Sequence, residues 1–333
     1  MLSRTADHLF WMARYMERAE NTARMLDINV QTSLLPQSAD MAEQGWRGLL
    51  SISELTSSYL ARHGRFDAAS IMEFMVRDET NSSSIVACLR AARENARAVR
   101  GALTTEVWET QNQTWLEFRR MLATQALQRD PSALFEWVKF RSHLSRGVTV
   151  GTMLQDEALH FLRIGTFLER ADNTARLLDV KFHALMNEFH GTAQSQSMGS
   201  MRQVQGFGRD QPEYDFYHWS AVLRSVSGFE VYRKVYRDVI RPEKVAELLI
   251  LRADMPRSLA ACMGGVMHNL QLVANEHSGE TLRRAGRLNA DLQYGRIDEI
   301  LATGLHAYLT QFLDRVSDLG YGISRDFLVP VAA

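Results

Sequence analysis

The sequence predicts an all-α protein, an internally duplicated helical bundle of long antiparallel helices with two pseudo-symmetric halves sharing a core. Three observations predict it. Apolar residues recur at helical spacing through long segments, the prolines fall between those segments, and a charged stretch near the N-terminus returns in mid-chain. The 333 residues suffice for a substantial core, and 46% hydrophobic against 23% charged residues is globular composition rather than that of a disordered chain.

The first helix is written by Leu9, Met12, Met16, Ala19, Ala23, Leu26 and Val30, whose alternating steps of three and four keep them on one face. Phe161, Ile164, Leu168, Ala171, Ala175, Leu178 and Phe182 repeat those steps, and in both copies the alanines permit close helix approach. Ser3 and the Thr152–Gln155 capping box are the expected helix starts. Further helices are expected over 41–62, 68–77, 83–109, 113–129, 132–145, 214–239, 243–252, 256–276 and 297–318. Pro36, Pro131, Pro212, Pro242 and Pro256 lie at or near their boundaries. Glycine and serine gather over 190–212, where a flexible loop is expected.

The repeat itself is specific. Glu17-Arg18-Ala19-Glu20-Asn21-Thr22-Ala23-Arg24 returns as Glu169-Arg170-Ala171-Asp172-Asn173-Thr174-Ala175-Arg176. Chance agreement is roughly one in twenty per position, so coincidence is not a serious explanation. Fainter echoes pair Trp46 with Trp219, Cys88 with Cys262 and Asn95 with Asn269. The expected organisation is therefore two halves, 1–150 and 151–333, forming one composite domain.

Composition narrows the functional classes. A formal net charge of −1 offers no excess of cations for a nucleic-acid backbone. Charges at Arg4, Asp7 and Arg14 interrupt any signal-like apolar run, and no stretch of about 18 uncharged apolar residues marks a membrane span. Two cysteines cannot make a disulfide framework or a four-cysteine zinc site, and the expected setting is cytoplasmic.

The candidate binding residues are Glu17, Asn21 and Arg24 with their counterparts Glu169, Asn173 and Arg176. At 100° per residue each trio falls within about 60° on the flank of the apolar face. A carboxylate, an amide and a guanidinium together suit a peptide terminus, a nucleotide fragment or a charged partner helix. The structural reading of the same residues is an interhelical polar layer, because Glu20–Arg24 and Asp172–Arg176 are favourable i,i+4 pairs and a pseudo-twofold interface uses the same groups twice.

Metal chemistry has a weaker basis. Glu157 and His160 show the Glu-x-x-His spacing of carboxylate-bridged bundles, but Thr5 stands where the first copy would need its glutamate. No metal or other cofactor is expected, and His8 and His160 read as core histidines. His183 and His190 lack zinc-spaced company. Cys88 and Cys262 read as buried packing, and no nucleotide-loop, serine-nucleophile or zincin motif is present. Most tryptophans read as core, with the Tyr214–Trp219 cluster the aromatic group best placed for a partner.

The two E-R-A-[DE]-N-T-A-R elements, at Glu17–Arg24 and Glu169–Arg176, resemble the bacterial alpha-E family, and the resemblance covers essentially the whole chain. It implies a helical companion of a circularly permuted ATP-grasp ligase in a system that makes or removes amide-linked peptides. The expected role is an accessory or co-catalytic partner that binds the ligase or its peptide substrate, rather than an enzyme on its own. A stand-alone metal-dependent or acyl-transfer enzyme and a structural scaffold are the alternatives. A scaffold would pair the stripes internally and leave no cleft leading to them.

Overall fold

The structure is a computed structural model that describes residues 1–34, 38–194 and 212–329, without the side chains of Ala39, 182–194 and 212–215. The first half contains α1 (Ser3–Ser33), α2 (Ala39–Ile52), α3 (Thr56–His63), α4 (Ala68–Val76), α5 (Ile85–Ala98), α6 (Thr105–Ala123), α7 (Ala126–Arg129) and α8 (Pro131–Thr152). The second contains α9 (Glu157–Gln194), α10 (Pro212–Ser225), α11 (Phe229–Tyr236), α12 (Pro242–Ile250), α13 (Leu259–Leu272), α14 (Gly279–Tyr294), α15 (Ile297–Thr303) and α16 (Leu305–Ile323). A π-helical turn, Ser324–Leu328, follows. Every regular element among the described residues is helical.

Helices α1 and α9 form the centre, and the apolar seam read from the sequence is what they bury. Leu9, Ala19, Ala23 and Leu26 have 0% exposure, as do Ile164, Ala171, Ala175 and Leu178. The two helices run in the same direction, since Phe10 meets Gly165 and, further along both, Arg18 meets Glu169. Gly165 sets their approach: a Cβ there would lie 2.4 Å from the Phe10 carbonyl oxygen, so only glycine fits.

The antiparallel packing lies on either side of this pair. On α1, His8 meets Asn95 of α5, and Glu17 and Asp27 meet Arg146 and Lys139 of α8. On α9, His160 meets Asn269 of α13, and Leu168 approaches Gly320 of α16. Both histidines use Nδ1 against an asparagine Oδ1, at 2.7 and 2.8 Å, as buried or half-buried hydrogen-bonded groups. The helices starting at Pro242, Leu259, Gly279 and Leu305 follow those starting at Ala68, Ile85, Thr105 and Pro131 at one constant offset.

Several expected helices are divided. Residues 41–62 break at Glu54, 113–129 at Gln125 and 214–239 at Ser227, each with positive φ, and 297–318 breaks at Gly304 with φ 99°. A 3-10 turn at Arg100–Ala102 divides 83–109. Helix α14 lies outside every expected range. Its Gly279 and Gly286 and its run of Arg283, Arg284 and Arg287 hide the buried stripe of Thr281, Ala285, Leu288 and Leu292.

The expected starts also differ. Leu2 precedes α1, with no side-chain cap. Thr152 ends α8, its hydroxyl donating to the Val148 carbonyl, and Asp156 caps α9 by accepting from the Ala158 and Leu159 amides. Most of the segment expected as a loop, 195–211, lies outside the described residues, as do the side chains of His183, His190, Phe182 and Tyr214.

Candidate functional site

Where α1 and α9 cross, the dipeptide Glu17-Arg18 faces its counterpart Glu169-Arg170, and the pairs cross over. Arg170 donates from Nε to Glu17 Oε1 at 2.8 Å and from Nη2 to Oε2 at 2.9 Å. Arg18 donates from Nε to Glu169 Oε1 at 2.6 Å and from Nη2 to Oε2 at 3.0 Å. Both are two-pronged guanidinium–carboxylate contacts, the geometry that planar arginine favours. Adjacent side chains on one helix point about 100° apart, so neither glutamate faces its own neighbouring arginine, and each pairs across to the other helix.

The surroundings of the two pairs diverge. Glu17 also accepts from Arg146 of α8 at 3.0 Å and from Arg257 Nη1 at 2.9 Å. Glu20, wholly buried, accepts from Arg24, Arg146, Arg257 and the Ser142 hydroxyl. Arg24 further donates to Ser227 Oγ at 2.6 Å. On the other side Glu169 has, among the described residues, Arg14, at 2.7 Å, besides Arg18. At the offset that separates those helix starts, Gly320 and Ser83 stand at the positions of Arg146 and Arg257, and both line a cavity.

Burial alone would raise the Glu17, Glu20 and Glu169 carboxyls, but their arginines more than reverse it and hold all three below the ordinary value. Burial acts against the Arg18 and Arg170 charges too, and Glu169 and Glu17 respectively outweigh it. Both thiols lie at the edge of this region. Burial pushes Cys88 and Cys262 up to about 12, which leaves them protonated and unreactive.

The cavity of about 520 Å³ lies between α1, α9 and α16, and it gathers four of the six nominated residues: Asn21, Glu169, Asn173 and Arg176. Arg176 is held by Asp172, at 2.8 Å from its Nε, and by Glu54. Asn21 is 3% exposed, and its Oδ1 accepts from Arg257 at 2.9 Å. That contact leaves Asn21 Nδ2 buried with no hydrogen-bond partner among the described residues. Asn173 is half-buried beside it. The other two nominated residues, Glu17 and Arg24, sit in the arginine-rich cluster, with Glu17 also on the wall of a second cavity.

The Glu157 and His160 side chains have separate partners. Glu157 is exposed against the Met1 amino group, while His160 bonds Asn269. Among the described residues no three His, Cys, Asp or Glu side chains come together as a metal site. Trp46 and Trp219 are core, and Phe216 and Tyr217 are exposed. Sequence reading passed over Arg14, Arg18, Arg146, Arg170 and Arg257 as site residues. The only available signal was the Glu-Arg dipeptide itself, since Arg146 and Arg257 enter from a distant helix and the turn before α13.

A buried, crossed Glu-Arg clamp joins two parallel central helices of an all-helical protein and is flanked by open cavities. A family model, Alpha-E, described as a predicted alpha-helical domain with a conserved ER motif, matches residues 1–328, and the chain belongs to that family. The crossed pairs give the motif a physical reason. No curated protein and no solved structure matches the chain. No helix among the described residues is long and apolar enough to cross a membrane.

Proposed function

We propose that this protein is a cytoplasmic accessory partner of an amide-forming, circularly permuted ATP-grasp ligase, holding the ligase's peptide substrate in the cavity between α1, α9 and α16. The observation that carries this reading is the open cavity itself, which gathers polar groups of both central helices on its walls. Asn173 offers an amide to a peptide backbone, and Arg14, Arg176 and Asp172 place both signs of charge along the same walls. A volume of about 520 Å³ falls within the range of small-ligand sites. In this reading the halves 1–150 and 151–333 are copies of one unit. Arg146 of the first half and Arg257 of the second lock one side of the crossing, and Gly320 and Ser83, at the matching positions, open the other side.

The scaffold reading gains support from the internal pairing of Glu17 and Glu20 with Arg257, and of Arg24 with Glu20. The open cavity at Asn21 and Arg176 weighs against it. The test is co-expression with a circularly permuted ATP-grasp ligase from the same genome, followed by size-exclusion chromatography and an amide-formation assay. A complex whose turnover falls in the Asn173→Ala/Arg176→Ala variant supports the reading. A ligase that neither binds the chain nor changes its rate when the chain is added overturns it.

A further inference from the structure

The second cavity, about 400 Å³, opens on a different face of α1, between that helix, α8, α9 and α13. Its walls divide by chemistry. Met12, Met16, Leu162 and Phe167 supply apolar surface, and Arg146, Arg163 and Arg170 supply cations. The cluster at this wall, which includes Glu17 as a lining residue, is not neutral: Glu17 and Glu20 face Arg24, Arg146, Arg170 and Arg257, four guanidiniums against two carboxylates. Burial, with Arg170 and Arg24 nearby, pushes Arg257 below its ordinary value despite Glu17 and Glu20. Arg163 adds a further cation and has no hydrogen bond or ion pair with any described residue, although half-buried. Excess buried cations are costly unless an anion joins them.

We propose that this cavity binds an organic carboxylate carrying an apolar tail. The carboxylate meets Arg163 and the Arg146–Arg170 edge, where a planar two-oxygen anion matches guanidinium geometry. The tail lies against Met12, Met16, Leu162 and Phe167, and the methionines adapt to its shape. An inorganic anion would use the cations but leave this apolar wall uncovered; a neutral apolar molecule would do the reverse. The inference is independent of the peptide-cavity reading, because it uses a separate cavity and none of Asn21, Asn173 and Arg176.

The shared chemistry has two sources, a free medium-chain acid and the C-terminal carboxylate of a peptide ending in an apolar residue. Isothermal titration calorimetry at neutral pH with octanoate and with N-acetyl-alanyl-leucine represents them, and octanamide is the uncharged control. Saturable binding of either carboxylate, with octanamide at least tenfold weaker, is the expected result. Which carboxylate binds more tightly names the source. Arg163→Gln removes a group with no described partner, so the fold stays intact while affinity falls roughly tenfold or more for the lost charged hydrogen bond. Thr166→Phe fills the cavity without removing a charge and abolishes binding. The proposal is overturned if neither carboxylate binds, if octanamide binds equally well, or if both variants bind like the parent chain.

Discussion

Replacing Glu17 with glutamine removes the charge that four arginine hydrogen bonds converge on: two from Arg170, one from Arg146 and one from Arg257. Glu17 is 1% exposed and Arg170 10%, so little water reaches the pair to compensate. Arg257 keeps Glu20 and Asn21, but Arg170 keeps, as its hydrogen bond among the described residues, the Pro256 carbonyl at 3.3 Å. The glutamine amide also points donors at donors. Breaking a buried pair of this kind costs about 3–5 kcal/mol. The matching change Glu169→Gln leaves Arg14 and Arg18, which are 18% and 26% exposed and can turn to solvent. Its cost is discounted accordingly, to about 1–2 kcal/mol. Urea denaturation, followed by circular dichroism and tryptophan fluorescence as a check on two-state behaviour, measures both. Two glutamates that open the same E-R-A-[DE]-N-T-A-R pattern should thus differ in weight. Equal losses, or a larger loss at Glu169, would refute the reasoning that burial and partner number set the difference.

Three further outcomes are expected. Because Glu17, Glu20 and Glu169 are held below the ordinary value of 4.5, their contribution is fully present above that pH. It is lost as pH falls further through their folded values, so the thermal midpoint should drop below about pH 4.5, and less steeply in Glu17→Gln. Cys88 and Cys262, buried and raised to about 12, should react with a thiol reagent at pH 8 only as fast as the chain unfolds, and rapid labelling would contradict their placement. Gly165→Ala should destabilise by about 1–3 kcal/mol in the same urea assay, although alanine is the better helix former, because its Cβ meets the Phe10 backbone.

Much of the fold was legible because the seam is one-sided and long. Leu9 to Leu26 and Ile164 to Leu178 are apolar at helical spacing, and the same residues are buried. Helix breaks were not legible where Glu54, Gln125 and Ser227 adopt positive φ, since none is glycine and no local pattern demands the turn. Helix α14 was missed because its apolar stripe is sparse among arginines. At the site, the spacing of Glu17, Asn21 and Arg24 placed them on one flank, and all three are buried. Their partners come from α8, α9 and the turn holding Arg257, which are contacts no local spacing encodes. Asn21 and Arg24 therefore part company: one reaches the cavity beside Arg176, and the other is locked to Glu20.

The crossed Glu-Arg clamp is tested most directly by a double-mutant cycle on Glu17→Gln and Arg170→Met, with folding free energies measured for the parent, both single variants and the pair. A coupling of roughly 2–3 kcal/mol, near the upper end for residues in one buried network, is the predicted result. Strictly additive losses would mean that the carboxylate of one central helix does not bind the guanidinium of the other.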